Sequence, residues 1–429
     1  MKWLYSNWLS SWRIDDGDCC KWHGVGCNNA TGYVEKLDLR NPFYLVSPFM
    51  GGISPSLAQL KHLRYLDLSG NSFDSIPNQF IGSIKELSYS QFHISSKFDL
   101  TGNGIQVPIP KAIGQMTSLR TLNLGENDLI GPIPDVLANL TSLEFLDLSY
   151  NQLEGPIPMS FGGLCNLRSL HLVQSGMNGT IPKSLGQLSD LKWLDLSLNA
   201  WDGELTDDHF ANLANLEGPL FPSWLRNLNQ LNTLFLENVG ISDKIPDWFA
   251  TLYPSLEVLD LSNNQISGKV PLELKHGLKS SNITTLSLDG NLFSGTIPLN
   301  INETIPNLSF LSLSNNLLEG GIPSSICNLK QLVVLSLSSN NLSGELPQEC
   351  LVDSKSLKHL DLSNNHLSGE VPISIWSAPQ LSILSLSKNG FSGKIPSNLK
   401  TLGPLRLIDL GENHFSAICQ CGWGKGSQT

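Results

Sequence analysis

Residues 143–158 read LEFLDLSYNQLEGPIP, and this stretch decides the fold because it is one copy of a frame that recurs along the chain. The frame is L-x-x-L-x-L-x-x-N-x-L/F-x-G-x-I/V-P; it occurs fifteen times, and its clearest copies lie 24 or 25 residues apart. Self-similarity at such a period is the signature of a protein built from stacked coils, in which each coil covers the apolar side of the next.

Each position of the frame has a structural role. Leu146 and Leu148 are two residues apart, so on a short strand they point to one side, the core, while Asp147 points to the other. The asparagine that closes the frame is expected to bond backbone groups of neighbouring coils. It falls, with Ser175 and Val239 in its place twice, at Asn71, Asn103, Asn127, Asn151, Asn199, Asn264, Asn291, Asn316, Asn340, Asn365, Asn389 and Asn413.

The rest of the frame closes the coil. Residues 155–158 turn the chain, because glycine tolerates unusual dihedral angles and proline fixes φ where no backbone donor is needed. A short helical or 3-10 stretch, such as residues 136–140, then runs along the convex side. The sequence therefore predicts a leucine-rich-repeat solenoid of the α/β repeat class, a curved right-handed superhelix with a parallel concave sheet and short helical or 3-10 convex segments.

The predicted organisation is one domain, because an array whose coils contact only their neighbours grows as a single unit. Residues 1–33 are expected to form a partial N-terminal cysteine cap, residues 34–416 an array of about fifteen coils, and residues 417–429 a tail outside the repeat. The repeat is irregular at residues 74–106 and 200–235.

Composition excludes several partners. The net charge is −11, from 27 basic and 38 acidic residues, which argues against a nucleic-acid or anionic-membrane surface. No window approaches 18 uninterrupted apolar residues, so no membrane span is expected, and no apolar segment with a cleavage site marks a signal peptide near Met1.

Sequons favour a secretory history. Repeats rich in Asn and Ser generate N-x-S/T by chance, but the number exceeds that expectation. Glycosylation is predicted at Asn29, Asn139, Asn178, Asn282, Asn302, Asn307 and Asn341.

The cysteines point the same way. Cys20 and Cys27 form a short bridge that would seal the open end of the core, against the alternative of a zinc site made with Cys19 and His23. Adjacent cysteines suit tetrahedral geometry poorly, so no metal and no cofactor is predicted. Cys327 and Cys350 lie 23 residues, or one coil, apart and are either bridged or two buried thiols. Cys165 is expected in the core, and the pairing of Cys19, Cys165, Cys419 and Cys421 is left open.

Several segments resemble a known family. Residues 9–12 (LSSW), 18–29 (DCCKWHGVGCNN) and 32–39 (GYVEKLDL) resemble the N-terminal cap of plant leucine-rich-repeat receptor-like proteins. Residues 51–57 (GGISPSL), 221–225 (FPSWL) and 241–249 (ISDKIPDWF) are similar to the branch that includes receptors for fungal xylanase elicitors. The resemblance covers roughly residues 9 to 416.

This resemblance implies the ectodomain of a cell-surface immune receptor. Such a module binds a peptide, protein or glycan elicitor outside the cell and signals through membrane co-receptor kinases, because it has no kinase domain itself. Departures from the family suggest a truncated and internally deleted chain. Asn199 and Val239 are 40 residues apart where the family has further coils, Asn71 and Asn103 are 32 apart, and residues 419–426 resemble no family cap or anchor.

No catalytic signature accompanies the repeat, so no enzyme is predicted. The sequence lacks a G-x-S-x-G elbow, an H-E-x-x-H pair, a P-loop and a kinase motif. Strand carboxylates could suggest a glycosidase, but they recur because an outward strand position is solvated. These carboxylates are Asp67, Asp147, Asp195, Asp260, Asp361 and Asp409.

A ligand surface is expected on the concave strands of coils five to eight. Its predicted residues are Phe145, Tyr150, His171, Gln174, Trp193, Asp195, Phe235 and Glu237. We expect aromatic rings stacked in one column, with Trp193 between His171 and Phe235, to form a strip of binding hot spots. The alternative is that this position tolerates any bulky residue, as Tyr65, Phe310 and His359 indicate.

Two other functions fit the sequence less well. One is a secreted inhibitor of a microbial cell-wall-degrading enzyme, resembling polygalacturonase-inhibiting proteins, although those have about ten coils and a closing C-terminal cap. The other is a non-functional receptor fragment.

Overall fold

The computed structural model describes residues 18–41, 48–76, 96–201, 221–272, 281–348, 356–396 and 405–417. The chain divides into two compact units, Met1–Leu231 and Asn232–Thr429. The irregular stretch around Tyr89, most of the suspected deletion and the tail beyond residue 417 lie outside the described residues, as do the first seventeen residues.

The first unit is organised around one sheet of short strands. Strand β1 (Val25–Cys27) is antiparallel to β2 (Val34–Asp38), and the following strands add in sequence order, all parallel. They are β3 (Tyr65–Asp67), β4 (Lys97–Asp99), β5 (Thr121–Asn123), β6 (Phe145–Asp147), β7 (Ser169–His171) and β8 (Trp193–Asp195). On the other side of the core run 3-10 helices at Cys19–Lys21, Pro55–Gln59, Lys111–Gln115, Asp135–Asn139, Met159–Gly163, Lys183–Gln187 and Ser223–Asn227.

The second unit repeats this plan with eight parallel strands. They are β9 (Thr233–Phe235), β10 (Val258–Asp260), β11 (Thr285–Ser287), β12 (Phe310–Ser312), β13 (Val334–Ser336), β14 (His359–Asp361), β15 (Ile383–Ser385) and β16 (Leu407–Asp409). Opposite them lie a 3-10 helix at Asp247–Leu252 and single-turn helices α1 (Ile301–Thr304), α2 (Ser324–Cys327) and α3 (Ile373–Trp376). The helices of the described residues lack the length and apolarity needed to cross a membrane.

A row of leucines forms the core of each unit. The central strand residues stand in register and are buried, and each contributes about 1.5 to 3 kcal/mol by leaving water. In the first unit they are Leu37, Leu66, Phe98, Leu122, Leu146, Leu170 and Leu194. The second unit continues the pattern to Leu384, but Ile408 of β16 is 40% exposed because no described strand covers it. The predicted leucine-rich-repeat solenoid, with a parallel sheet and helical or 3-10 segments opposite, is confirmed.

Short strands also form on the flank of each unit, which the sequence analysis read only as turns. Just after each closing asparagine, the backbones of neighbouring coils lie about one strand spacing apart. Their N–H and C=O groups therefore hydrogen-bond to each other instead of to water. In the first unit Met50–Gly51 pairs with Ser72–Phe73, Ile130–Pro132 with Gln152–Glu154, and Asn178–Gly179 with Ala200–Trp201. The second unit has six such strands, Ser267–Gly268, Leu292–Gly295, Leu317–Gly320, Asn341–Glu345, His366–Glu370 and Gly390–Ser392, and a pair Lys394–Ile395 with Ser416–Ala417.

The closing asparagines form a ladder inside each unit. The Asn151 amide donates to the carbonyls of Leu148 and Ser149 in its own coil, at 2.9 and 3.1 Å, and to Leu124 in the preceding coil at 3.1 Å. Its carbonyl oxygen accepts the N–H of Leu129, also in the preceding coil, at 3.0 Å. One buried side chain therefore satisfies backbone groups of two coils and fixes their register.

Where serine replaces the asparagine, backbone groups take over part of its role. The Ser175 hydroxyl lies 3.1 and 2.7 Å from the carbonyl oxygens of Leu148 and Leu172, and the Leu153 N–H, which an asparagine would accept, donates to the Ser175 carbonyl at 2.7 Å. Asn199 accepts the Ser175 N–H as well as the Met177 N–H, at 3.0 and 3.2 Å. In the second unit Asn264 does the same for the N–H groups of Val239 and Ile241.

The ladder predicts a difference between two substitutions at Asn151. Asn151→Ala leaves three carbonyls and one N–H without this partner, at roughly 1 to 3 kcal/mol for each group that stays dry. Asn151→Ser keeps a donor, as Ser175 does. We expect the alanine variant to melt clearly below the serine variant and to lose hydrogen-exchange protection at the Leu129 amide. Equal melting temperatures and equal protection would contradict the ladder's role.

The N-terminal end carries a disulfide between Cys20 and Cys27, with an S–S distance of 2.09 Å. The Asp18 carboxylate accepts the Cys20 N–H at 3.1 Å at the start of the first 3-10 turn. Because the bridge uses two of the three thiols that lie close together, it leaves Cys19 alone and removes the zinc alternative.

Other cysteines differ from expectation or stay open. Cys165 is a free, exposed thiol and not a core residue, because the inward position is taken by Leu164 before it. Cys327 is disulfide-bonded, while its predicted partner Cys350 lies outside the described residues, as do Cys419 and Cys421.

Thiol labelling checks this assignment. Iodoacetamide should alkylate Cys19 and Cys165 in the folded, oxidised protein and leave Cys20 and Cys27 unlabelled, because a disulfide sulfur is not a nucleophile. Reduced, denatured protein is the control and should take label at all eight cysteines. Peptide mapping that found Cys19 joined to Cys20 or to Cys27 would overturn the pairing.

The seven sequon asparagines all lie in the described parts of the chain. Asn302 is half-buried in α1 beside the buried Thr304, and the other six are exposed. Their glycosylation stays a prediction.

Candidate functional site

Strand register sets the arrangement of side chains on the open face of the main sheet, the face opposite the leucines. The residues before the central leucines of β6, β7 and β8 form a first row, which consists of Phe145, Ser169 and Trp193. The residues after those leucines form a second row, which consists of Asp147, His171 and Asp195. The predicted single column of rings is therefore wrong, because Trp193 precedes its leucine whereas His171 follows its own.

Three rings nevertheless come together across the two rows. His171 lies 5.1 Å from Phe145 and 5.3 Å from Trp193, between ring centroids, with tilts of 39° and 35°. Diagonal neighbours on adjacent strands are within reach of aromatic side chains. Trp193 is 38% exposed, and Phe145 and His171 are half-buried. We call Phe145, His171 and Trp193 the ring cluster.

Tyr150 and Gln174 border this cluster at the carboxyl ends of the strands. Each directly precedes a rung position and has a left-handed backbone, with φ of 53° and 48°. Their N–H groups donate to Val173 and Ser197 of the following coils at 2.9 and 3.0 Å, which holds the turn. Tyr150 is 48% exposed and Gln174 is exposed, so both predicted site residues are available to a ligand.

The two carboxylates of the second row have backbone partners but no basic partner. Asp147 accepts the Ser149 N–H at 2.9 Å and Asp195 accepts the Ser197 N–H at 3.0 Å. No lysine or arginine of the described chain pairs with either carboxylate. Burial raises the pKa of Asp195 above its ordinary value, against the opposing effects of Ser197 and His171.

His171 lies between these carboxylates. Burial lowers its pKa below the usual 6.5, and attraction to Asp147 and Asp195 offsets only part of that effect. The imidazole is therefore neutral near pH 7, and the second row carries two negative charges without a positive one.

Phe235 and Glu237 belong to the second unit and are described there. Phe235 stands in register with Asp260, so its strand position matches that of His171 and not that of Trp193. Glu237 accepts a hydrogen bond from the Asn263 amide at 2.9 Å. Both side chains are half-buried, and their role in a ligand site stays a prediction.

A charged network in the first coils escaped the sequence analysis. The Lys97 ammonium lies 2.8 Å from Asp67 and 2.9 Å from Asp99, and 5.4 Å from the centre of the Tyr65 ring. Lys36 lies over the same ring at 4.7 Å and pairs with Asp38 at 3.3 Å. The recurring patterns KLD, YLD and KFD were the available signal, since they place basic and acidic residues on one face of neighbouring strands.

The position of His171 predicts a pH effect on stability. The pKa of His171 is lower in the folded protein than in the unfolded chain, so the unfolded chain binds a proton at His171 more readily. The contribution of His171 to the free energy of unfolding is therefore fully present above about pH 6.5 and is lost as the pH falls below that value.

We therefore expect His171→Gln to reduce the drop in melting temperature between pH 7.5 and pH 5.5. His359→Gln, the same substitution at a first-row position of β14 in the second unit, serves as the control. An unchanged pH dependence of the melting temperature in the His171 variant would show that burial does not lower the pKa of this histidine.

Family models match most of the repeat array. A leucine-rich repeat region model matches residues 53–270, and a Leucine Rich Repeat model matches residues 307–329, 331–351, 356–378 and 380–402. Receptor-like protein EIX1 of Solanum lycopersicum is 42% identical over 134 residues, which are 28% of this chain and 12% of that relative. The match therefore spans a small part of that relative's length.

Solved structures are similar over most of the chain. The crystal structure of PEPR1–AtPEP1 superposes with a TM-score of 0.72 and 31% identity, covering 95% of this chain and 53% of the other. The Arabidopsis receptor kinase HAESA, in complex with the peptide hormone IDA and the co-receptor SERK1, gives a TM-score of 0.60 and 26% identity, covering 96% and 87%. The first family model alone spans half of the chain, so the protein belongs to the leucine-rich-repeat family, and within it resembles the plant receptor-like proteins and receptor ectodomains.

Proposed function

We propose that this chain is the extracellular recognition module of a plant cell-surface immune receptor-like protein. It binds an elicitor on the open face of β6, β7 and β8 and acts through partner kinases. The observation that carries the proposal is the ring cluster, in which three aromatic side chains from adjacent strands contact one another on the open face.

The ring cluster has the properties of a binding hot spot. Trp193 offers a large apolar surface to solvent, and hot spots are enriched in tryptophan and other aromatic residues. Parallel pairing on both sides of β7 and the ladder rungs behind it hold the strands in place. A rigid frame of this kind binds without first ordering a loop, which lowers the entropic cost of association.

The similar solved structures indicate which class of ligand and which class of partner to consider. HAESA is a receptor kinase seen with a peptide hormone and a co-receptor, and this chain is similar to it along nearly its whole length. We therefore favour a peptide or protein elicitor over a glycan. The co-receptor in the HAESA complex is the precedent for signalling through a membrane partner.

Binding by the ring cluster predicts a separable effect of Trp193→Ala. Truncating a central tryptophan costs about 2 kcal/mol or more in a protein interface, whereas an outward side chain contributes little to the core. We expect at least tenfold weaker binding of the ligand with a nearly unchanged melting temperature. The probes are a fungal xylanase, chosen from the resemblance, and a random octapeptide library, both measured by biolayer interferometry on immobilised protein.

Phe310→Ala is the matched control, because Phe310 occupies a first-row position of β12 in the second unit. It should leave binding intact. Binding that survives Trp193→Ala together with Phe145→Ala would place the ligand elsewhere, with Phe235 and Glu237 as the next residues to change. Failure of both probes to bind the unaltered protein would contradict the proposal, and inhibition of xylanase turnover at stoichiometric binding would favour the inhibitor function instead.

A further inference from the structure

We infer that the ring cluster, together with Asp147 and Asp195, is a subsite for a basic side chain of the ligand, an arginine in preference to a lysine. The inference rests on the proposed function and adds the chemistry of the group that the site recognises. Three observations carry it: a related arrangement in the first coils that the chain itself fills with a lysine, the carboxylates of β6 and β8 without a basic partner, and the missing hydroxyl donor at Asp147.

The filled version is formed by the chain itself. In the first coils the second row holds Asp67 and Asp99 on adjacent strands, and the Lys97 ammonium pairs with both at 2.8 and 2.9 Å. The same ammonium lies 5.4 Å from the centre of the Tyr65 ring, a first-row neighbour. Burial lowers the pKa of Lys97, but the two aspartates raise it more, and its pKa ends above the ordinary value. A cation between second-row carboxylates and against a first-row ring is thus a stable arrangement on this face.

A related arrangement without a cation lies on β6, β7 and β8, where the two carboxylates are two strands apart instead of one. Asp147 and Asp195 occupy the same row as Asp67 and Asp99, and first-row rings, Phe145 and Trp193, stand on the same strands. The row that holds Lys97 in the first coils has no basic residue on these three strands, and the second-row residue between the two carboxylates is the neutral His171. Half-buried carboxylates without a counter-charge are costly, and a ligand cation would relieve that cost.

The hydroxyl groups that follow the second-row aspartates also differ between the two places. The Ser69 and Thr101 hydroxyls donate to Asp67 and Asp99, at 2.6 and 2.7 Å. Ser149, the corresponding residue after Asp147, is buried, and its hydroxyl has no hydrogen-bond partner in the described chain. Asp147 therefore lacks the hydroxyl donor that Asp67 and Asp99 have, and its carboxylate can accept a hydrogen bond from a ligand instead.

Geometry favours arginine over lysine and over a metal ion. Asp147 and Asp195 are two strands apart, which separates their positions by about 9.6 Å. This is a separation of backbone positions, and a single ammonium or metal ion, which binds through one atom, is less suited to two carboxylates so placed than a group whose donor atoms are spread apart. A planar guanidinium donates from several edges and stacks on aromatic rings, so it can lie over His171 and reach toward both carboxylates.

The test uses a positional-scanning library of acetylated, amidated octapeptides, with one residue fixed at each position in turn. The unaltered protein should bind the arginine pool at one position at least tenfold more tightly than the pools with glutamine or citrulline there, and more tightly than the lysine pool. This preference should weaken with added salt, because the pairs are only partly buried.

Asp147→Asn combined with Asp195→Asn should abolish the preference for arginine, reducing it to less than threefold. Asparagine keeps an oxygen that accepts the Ser149 and Ser197 N–H groups, so the turns and the melting temperature should be preserved. Asp361→Asn is the matched control, because Asp361 has the same strand position in β14 and accepts the same kind of bond from Ser363. It should leave the arginine preference unchanged.

The possible results distinguish the cationic subsite from the proposed binding function on which it rests. Peptides that bind through Trp193 without any preference for arginine, or with a preference that survives the double substitution, would overturn the cationic subsite and leave the binding function standing. If the xylanase binds the unaltered protein and no peptide does, the cationic subsite falls and the binding function stands; if neither binds, both fall.

Discussion

The asparagine ladder is the constraint on which the rest of the structure depends. In each asparagine rung the amide nitrogen lies within hydrogen-bond distance of three carbonyls and the amide oxygen accepts at least one N–H, as at Asn127, and some of these partners belong to the preceding coil. A coil that slipped by one residue along its neighbour would lose those bonds and turn its leucines out of the core. Because the register is fixed, side chains on the open face form rows whose members are set by strand position alone.

Those rows explain why the first unit has two different electrostatic states on one face. Near the N-terminal end the second-row aspartates are compensated, Asp38 by Lys36 and Arg40, and Asp67 and Asp99 by Lys97. Two strands after Asp99 the row continues with Asp147, and then with His171 and Asp195, where neither aspartate has a lysine or arginine partner in the described chain and the ring cluster lies beside them. The repeat frame requires neither the absence of basic partners for these aspartates nor the presence of the ring cluster. Their coincidence at one place is the ground on which we propose a recognition surface here.

The sequence predicted most of the fold and part of the site. Period, leucine spacing and closing asparagines were sufficient for the strands, the core and the ladder, because each depends on local spacing that every copy repeats. The flank strands were missed because their pairing depends on how close two coils approach, which no single copy of the frame contains. Cys165 was misplaced because one residue decides between the inward position of Leu164 and the surface. The ring column failed for a related reason: His171 and Trp193 both point outward, but on opposite sides of the central leucine, and only the strand register shows that they meet diagonally.

A co-crystal structure of the protein with an arginine-containing octapeptide selected from the library would test the central claim most directly. The account predicts that the peptide lies on β6, β7 and β8, that a peptide side chain covers Trp193, and that the guanidinium lies over His171 within hydrogen-bond distance of Asp147 or Asp195. A peptide bound to another face, or one whose arginine points into solvent while Asp147 and Asp195 keep only their backbone partners, would contradict it.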